Sequence, residues 1–355
     1  MDNQTHYKIH ISKLNEVYLI VECDNDGTCR ALVDYFTFEV PGHKFMPAFR
    51  NKMWDGKIRL FSDKTGKIYV GLLSYIKEFC ERNDIQCIVD SDVDDSDNLD
   101  IKNYLLKDKK ILILVPTTSL VEQMYSDFID YGWNDKYLHR IYQGHEKVTD
   151  KPVVISTWQS IYKLDKKYFE DFGCVVGDEA HLFKSKSLTT IMTKLTNCKY
   201  RFGMTGTLDG TQTHRLVLEG LFGKVEKVTS TKELMDKDTL ASLKIKCIVL
   251  KHKEDECKIV KDLKYSEELQ YIVAHKTRND FITTLCDKLT GNTLCLYQLV
   301  EKHGLVLYNM MKDFDRKVFF IHGGTDTETR EKIRAITEKE TNAIIVASYG
   351  TFSTG

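Results

Sequence analysis

Alternating apolar and polar residues characterise the first 90 residues of the chain. YKIHI and VYLIVEC have the period of two of a half-buried strand, and so does FTFEV. GTCRALVDYF and LLSYIKEFCER have helical spacing, and IQCIVD closes the region as a strand. KIRLF and KIYVGLL flank the turn-forming SDKTG, which predicts a hairpin. Together these patterns predict a small α+β domain over residues 1–90.

Continuous apolar runs replace this alternation from residue 110 onward. ILILVP, PVVIST, CVVGD and YRFGMTG are short runs typical of strands that are covered on both faces. Segments of helical spacing lie between them, and Thr118 is the predicted N-cap of the first. Because strands and helices alternate, residues 110–235 are predicted to form a parallel α/β sheet.

A second α/β region is predicted over residues 236–355. LKIKCIVL, NTLCLY, KVFFIHG and NAIIVASYG are its predicted strands, and helices are predicted over residues 265–289, 300–312 and 325–338. The last helix has a capping-box pattern from Thr325 to Glu328. Upstream, the six aspartates of DSDVDDSDNLD predict an acidic linker over residues 91–109. The alternative is a solvated loop within one domain.

Composition restricts where nucleic acid can bind. Charged residues make up 29% of the chain and the formal net charge is -1, so a nucleic-acid surface must be local. The segment HKFMPAFRNKMWDGKIRLF, residues 43–61, interleaves aromatic residues with the cations Arg50, Lys52, Lys57 and Arg59. Such a mixture can hold phosphates and stack on bases. In the alternative interpretation the aromatic residues belong to the core and the cations are solvated.

Other compositional features exclude several classes of protein. The ten cysteines lack zinc-site spacing and are interpreted as reduced thiols. The N-terminal residues do not resemble a secretory signal, and no apolar run approaches membrane-spanning length. The expected location is therefore the cytoplasm, with no membrane partner.

The sharpest chemical motif is CVVGDEAHLF, residues 174–183. An apolar strand delivers two carboxylates at its carboxyl end, where ligands bind in open α/β sheets. Asp178 is placed to hold Mg²⁺ through water, and Glu179 to orient and deprotonate an attacking water. His181 is placed to sense phosphate. The alternative is a strand end that carries ordinary acidic residues.

Two further sets of polar residues follow strands. GMTGT places Thr205, Gly206 and Thr207 after the next strand, where small hydroxyl groups can contact the acidic motif. VPTTSL and ISTWQS each place hydroxyl and N–H groups between a strand and a helix, which suits contact with a phosphate backbone. Plain helix N-caps explain the last two equally well.

The order PTTSL, STWQS, DEAH, MTGT, HGG and ASYGTFSTG resembles superfamily-two helicases of the DExH type, and most closely those of phage recombination and repair that act on branched DNA. FRNKMWDGKIRLF resembles the N-terminal domain of such helicases. The resemblance implies two RecA-like parallel-sheet motor domains after the α+β domain. It implies that ATP is the nucleotide and Mg²⁺ the metal. It also implies branched or duplex DNA as the partner, with the motor tracking along a single strand. It implies catalysis by Asp178, Glu179 and His181, and coupling by Thr205, Gly206 and Thr207. It implies that the following residues lie along one DNA strand: Pro116, Thr117, Thr157, His322, Gly323 and Ser348. The resemblance also implies that the protein is located in the cytoplasm of a bacterial host.

Two departures from the family pattern concern ATP. A phosphate loop needs Gly-Lys-Ser/Thr, but Gly-Lys occurs only at 56–57, 66–67 and 223–224, and Ile or Val follows each time. About ten residues separate the acidic run from ILILVP, whereas a strand–loop–helix unit needs roughly thirty. The chain also ends within ASYGTFSTG, before the family's arginine-bearing motif. The first motor domain is therefore expected to lack its phosphate-loop strand and helix, and the second to be truncated.

These departures predict a helicase that is ATPase-deficient alone and marginally stable in its first motor domain. Loss of the strand is expected to leave a gap beside the Asp178 strand, or to bring a new neighbour onto an edge. A complementing helicase fragment is then a further expected partner. The alternatives are a non-catalytic DNA-binding module, one part of a split helicase, and a restriction-translocase subunit on the same motor.

Overall fold

The described part of this computed structural model comprises residues 7–93, 109–208, 212–237 and 243–352. By its internal contacts the chain divides into two units, Met1–Lys227 and Val228–Gly355. Most of the acidic segment for which a linker is predicted, 94–108, lies outside the described residues. None of the described helices is long and apolar enough to cross a membrane.

The first unit begins with an α+β region whose main sheet has the strand order β5-β2-β1-β6. Strands β1 and β2 are antiparallel, and β6 pairs with β1 in parallel. The strands of this region are β1 Lys8–Lys13, β2 Tyr18–Cys23, β3 Thr37–Glu39, β4 Lys57–Arg59, β5 Lys67–Tyr69 and β6 Gln86–Val89. Its helices are α1 Asp26–Tyr35, α2 Pro47–Arg50 and α3 Leu73–Arg82.

The predicted hairpin around SDKTG is wrong in its pairing. Strand β4 pairs with β3 in a separate two-stranded sheet, and β5 pairs with β2 at the edge of the main sheet. Only one bridge, between Ser62 and Lys67, joins the two sides of the turn. The turn residues are as predicted, but the flanking strands pair elsewhere, and Leu60 and Ile68 on the two sides of the turn are buried in the same core.

A five-stranded, all-parallel sheet follows, with the order β11-β10-β7-β9-β8. One face of this sheet packs into the same apolar cluster as the α+β region, which joins Ile9 and Leu32 to Leu112, Val175 and Phe183. The other face, with Ile113, Val115 and Ile155, belongs to a separate apolar cluster. The strands are β7 Lys110–Val115, β8 Leu138–Ile141, β9 Val153–Thr157, β10 Phe172–Gly177 and β11 Tyr200–Gly203. The helices are α4 Thr118–Asp130, α5 Trp158–Ile161, α6 Lys186–Lys194, α7 Gln212–Phe222 and, in the second unit, α8 Thr231–Asp236.

Of the two arrangements expected beside the Asp178 strand, the gap is not present, and a neighbouring strand lies on each side. Strand β10, which precedes Asp178, is hydrogen-bonded to β7 on one side and to β11 on the other. Strand β11 is an edge strand of this sheet. Arg201 holds β11 against the end of α6 by donating to the carbonyls of Met192, Leu195 and Cys198 at 2.6–3.2 Å. Burial lowers the pKa of Arg201, and these three carbonyls replace its lost water.

The second unit contains a three-stranded parallel sheet of order β12-β14-β13. Its strands are β12 Thr293–Tyr297, β13 Lys317–Ile321 and β14 Ala343–Ser348. Its remaining helices are α9 Glu254–Val260, α10 Tyr265–Ala274, α11 Lys276–Lys288, α12 Leu305–Met311, α13 Thr327–Lys339 and α14 Tyr349–Phe352. The parallel sheets of both units confirm the predicted α/β fold class.

Local details differ from the sequence prediction at several element ends. The predicted strand over 243–250 is absent, and these residues have no regular structure and lie exposed. The long helix predicted over 265–289 is broken at His275, whose Nδ1 accepts the N–H of Arg278 as the N-cap of α11. Thr117 and Asp326, rather than Thr118 and Thr325, cap α4 and α13.

A buried histidine is expected to make the stability of the second unit depend on pH. His303 is 5% exposed, and Nη1 of Arg278 lies 3.1 Å from its Nε2. Burial, and then the positive charge of Arg278, lowers the pKa of His303 to about 4. The unfolded chain takes up this proton near pH 6.5. The stabilisation from neutral His303 is therefore complete above about pH 6.5 and is lost as the pH falls towards 4.

We expect His303→Gln, which keeps an acceptor for Arg278 but does not titrate, to reduce the loss of stability between pH 6.5 and 4. Urea-dependent hydrogen exchange of the β12 amides in the full chain measures this. His139→Gln in the first unit is the control, since it removes an imidazole that is only half-buried and lies outside the second unit. An equal loss of stability in wild type and His303→Gln would contradict the assignment.

Candidate nucleotide and nucleic-acid site

The carboxyl edge of the first parallel sheet gathers most of the motif residues of the first unit. Asp178 follows β10, and its N–H donates to the carbonyl of Leu114 at 2.9 Å. Val115 and Thr157 are register partners at the ends of β7 and β9, so Pro116 and Thr117 begin beside Thr157. The motifs at Pro116, Thr157, Asp178 and Thr205 thus follow four parallel strands at one edge. This is the edge where open α/β sheets bind ligands.

The DEAH segment turns sharply at Glu179, where the backbone is left-handed. Glu179 has a left-handed conformation, with φ of 49°, and its N–H donates to Oδ1 of Asp178 at 2.9 Å. A non-glycine residue in this region costs of order 1 kcal/mol or more and concentrates at functional sites. Beneath the turn, a Cβ on Gly177 would lie 2.5 Å from the ring of Phe183, so the glycine allows that ring to support the two acids.

The DEAH and MTGT segments contact each other through backbone and side chains. Ala180 donates to the carbonyl of Met204 at 2.8 Å, and Met204 donates to that of Gly177 at 2.9 Å. Nδ1 of His181 lies 3.0 Å from Oγ1 of Thr205 and 3.2 Å from Oε2 of Glu179. His181 therefore bridges the second acid and the threonine motif.

Thr205 and Thr207 close the same network. The N–H of Thr207 donates to Oγ1 of Thr205 at 3.2 Å, and that hydroxyl lies 3.1 Å from the carbonyl of Thr207. A Cβ on Gly206 would meet nothing within 4 Å, so space rather than crowding surrounds the turn. A displacement of His181 would thus change the hydrogen bonds of both threonines.

The residues at the edge suit Mg²⁺ but contain only part of a triphosphate site. Asp178 and Glu179 are half-buried carboxylates, the ligand type that Mg²⁺ prefers, and Mg²⁺ usually keeps several waters and takes phosphate oxygens as further ligands. Among the described residues, the only group of three or more metal-ligating side chains lies elsewhere, at His252, Glu256 and His275. A metal at Asp178 would therefore depend on water and phosphate.

The motif residues of the second unit also meet at a strand edge. His322 and Gly323 follow β13, and Ser348 ends the neighbouring β14. Thr325 Oγ1 accepts the N–H of His322 at 3.1 Å, and Arg330 donates to the carbonyl of Gly323 at 2.9 Å. These bonds fix the turn after β13 and leave the side chains of the motif at the edge of the sheet.

Sequence reasoning missed a polar contact between the α+β region and α7. Glu219 is 1% exposed; it accepts from the hydroxyl of Tyr75 on α3 and, at 2.9 Å, from Nε of Arg215. Burial, and then the bond to Glu219, raises the pKa of Tyr75 to about 12. The signal is a single carboxylate in the apolar run LVLEGLF. Because α7 also contacts β11, this bond ties the N-terminal region to the strand that bears the threonine motif.

Two parallel α/β sheets with DEAH and threonine motifs at a strand edge define a RecA-like helicase motor. Comparison with known proteins agrees. Residues 99–210 match the family model of the type III restriction enzyme res subunit, and residues 7–90 match that of the UvsW DNA helicase N-terminal domain. The chain is 30% identical to the ATP-dependent DNA helicase UvsW of Enterobacteria phage T4 over 413 residues, which cover 98% of this chain and 81% of that protein.

Solved structures give the same relationship. A crystal structure of T4 UvsW has a TM-score of 0.56 at 29% identity and covers 98% of this chain and 81% of its own. A second structure of the bacteriophage T4 UvsW helicase has a TM-score of 0.54 at 28% identity, over 61% of this chain and 98% of its own. The chain belongs to the UvsW family of DNA helicases, which confirms the resemblance drawn from its motifs.

Proposed function

We propose that this chain is a DNA-binding motor protein of phage recombination and repair that acts on branched DNA but turns over little or no ATP alone. The contact of His181 with both Glu179 and Thr205 carries the first part, because it joins an acid pair to a threonine turn at a ligand-binding edge. Family membership supports the helicase class.

The proposed roles at this edge follow from the chemistry of the side chains. Asp178 would hold Mg²⁺ through water, and Glu179 would orient and deprotonate the attacking water. His181 lies within hydrogen-bond distance of Thr205, so a shift of Glu179 or of phosphate would reach the threonine turn through one imidazole. When bound, Mg²⁺ would neutralise charge on the phosphates.

The proposed ATPase deficiency is supported by the lack of a phosphate-loop sequence within the chain. No Gly-Lys-Ser/Thr occurs in these 355 residues, so the lysine and N–H cradle of a phosphate loop has no counterpart. The alignment with T4 UvsW runs over 413 residues, more than the whole length of this chain, so the relative carries segments that this chain lacks. A complementing fragment of a split helicase would supply the loop. Failing that, the chain acts as a non-catalytic DNA-binding module.

The proposed DNA surface has three parts. Pro116, Thr117 and Thr157 offer hydroxyl and backbone groups at the first sheet edge. His322, Gly323 and Ser348 offer the equivalent groups in the second unit. The exposed cations Arg50, Lys52, Lys57 and Arg59 lie in the α+β region, although Arg59 is paired with Asp55. Phosphate contacts of this kind position DNA without reading its sequence.

Charge reversal of Arg50 and Lys52 tests the N-terminal part of this surface. We expect Arg50→Glu/Lys52→Glu to weaken binding to branched DNA and to flatten its salt dependence, since each lost phosphate contact removes roughly 0.7–0.9 from the slope of log K against log salt. Fluorescence anisotropy over a range of salt concentrations measures both quantities.

Lys166→Glu/Lys167→Glu is the matched control. It changes the net charge equally, but these exposed lysines precede β10 and so lie at the amino edge of the sheet. If both double variants lost affinity alike, general charge rather than this surface would explain binding. An unchanged affinity and slope in Arg50→Glu/Lys52→Glu would remove the segment from the DNA surface.

A further inference from the structure

Of the aromatic side chains interleaved with the N-terminal cations, three are engaged within the protein. Phe61 is buried. Phe49 packs edge-on against His43, with ring centroids 4.6 Å apart. Trp54 donates its indole N–H to the carbonyl of Lys57 at 2.8 Å. Phe45 is different, because 81% of its surface is exposed. The ring of Phe45 is therefore accessible to a ligand.

Phe45 projects from a turn that is well defined by hydrogen bonds. Its N–H donates at 3.0 Å to the carbonyl of Gly42, which has a φ of 73°. Met46 donates to His43 at 2.9 Å, and Nδ1 of His43 lies 2.9 Å from the carbonyl of Val40. Because the backbone around Phe45 is already ordered, a ligand that stacks on the ring need not order the loop.

The charge around Phe45 selects the kind of ligand. Lys44, Arg50 and Lys52 are exposed, and none of them forms a salt bridge within the parts of the chain that the structure describes. Met53, 74% exposed, lies in the same segment but has no flat ring on which a base could stack. An apolar ring among unpaired cations complements a polyanion that also presents flat apolar faces. A nucleic acid with unstacked bases has both properties, whereas the bases of a continuous duplex are already stacked.

We propose that Phe45 stacks on an unpaired base of DNA while Lys44, Arg50 and Lys52 hold the adjacent phosphates. The inference rests on the proposed function and narrows it: the N-terminal region would recognise the unpaired bases at a fork or gap rather than duplex in general. Stacking of one base on one aromatic side chain contributes about 1–3 kcal/mol by alanine substitution, equivalent to about 5- to 150-fold in affinity.

The test compares Phe45→Ala with Met53→Ala, which removes a similarly exposed apolar side chain without a ring. Affinities of the full chain for a single-stranded oligonucleotide, a duplex of the same length and a fork are measured by fluorescence anisotropy at several salt concentrations. Phe45→Ala is expected to weaken single-strand and fork binding at least about fivefold, with duplex affinity and the salt slope unchanged. Phe45→Trp should bind as wild type or tighter, and Met53→Ala should match wild type.

Four outcomes would overturn the proposal. Equal losses for Phe45→Ala and Met53→Ala would indicate general apolar contact rather than stacking. Equal losses of affinity of Phe45→Ala for duplex and single-stranded DNA would contradict a preference for unpaired bases. Phe45→Ala could bind every DNA normally while Arg50→Glu/Lys52→Glu binds weakly. The proposed stacking on Phe45 would then be wrong, but the proposed N-terminal DNA surface would be supported. If the charge-reversal variant also bound normally, the proposed N-terminal DNA surface would fail with it.

Discussion

The rate of phosphate release from ATP by this chain, with branched DNA present, is expected to equal that of its Glu179→Gln variant. Glu179 is the proposed base, but the water that it would deprotonate can attack only a triphosphate that is held in place. A phosphate loop holds the negative charge of the triphosphate with a lysine and several N–H groups. None of the Gly-Lys pairs of this chain is followed by the Ser or Thr that such a loop needs. A single arginine acting on the same charge is worth roughly 10³–10⁵-fold in related NTPases.

Assays of the T4 UvsW helicase alongside provide a positive control for the DNA and the buffer. The comparison with Glu179→Gln distinguishes intrinsic turnover from a contaminating ATPase, which the substitution would not affect. Turnover that is stimulated by DNA and lost in Glu179→Gln would show that the chain grips ATP by other residues, and the proposed deficiency would be wrong.

The largest expected effect on stability is that of Phe183→Ala. Phe183 is fully buried, its ring lies under Gly177, and it meets the ring of Phe222 edge-on with centroids 5.0 Å apart. Removing a buried phenylalanine ring costs about 3–5 kcal/mol through lost contacts and a residual cavity. Natural domains have only about 5–15 kcal/mol of stability, so the loss would be a large fraction of the total.

Chemical denaturation of the full chain, followed by tryptophan fluorescence, measures this effect, since all three tryptophans lie in the first unit. Phe183→Leu keeps most of the volume and should lose less, which preserves a measurement if Phe183→Ala does not fold. Phe45→Ala, at an exposed position, should change stability by about 0.5 kcal/mol or less. A cost below about 1 kcal/mol for Phe183→Ala would contradict the packing of the DEAH turn.

The parallel strands were predictable because their composition leaves little choice. ILILVP and CVVGD are runs of Ile, Leu and Val, bounded by polar or small residues, and β7 and β10 are central strands with two neighbours each. The motifs after them follow from the same topology, since parallel strands end at one edge. The bridge between His181 and Thr205 required only that β10 and β11 be adjacent.

Other features depend on partners that a local pattern does not reveal. LKIKCIVL has the apolar content of a strand, but a strand also needs a hydrogen-bonding neighbour, and residues 243–250 have none in the described structure. The pairing of β4 with β3 was hidden for the same reason. The exposure of Phe45 and the burial of Phe61, two phenylalanines of one basic segment, depend on tertiary packing that periodicity does not encode.

Asp178 and Glu179 lie at the ligand-binding edge of a parallel sheet, in a chain that we propose does not bind a triphosphate alone. Calorimetric titration of Mg-ATP into the full chain, with DNA binding verified in the same preparation, measures whether the chain binds the nucleotide. We expect no saturable heat up to millimolar ATP, with or without DNA. Saturable binding in the micromolar range that is weakened by Asp178→Asn would contradict the proposal.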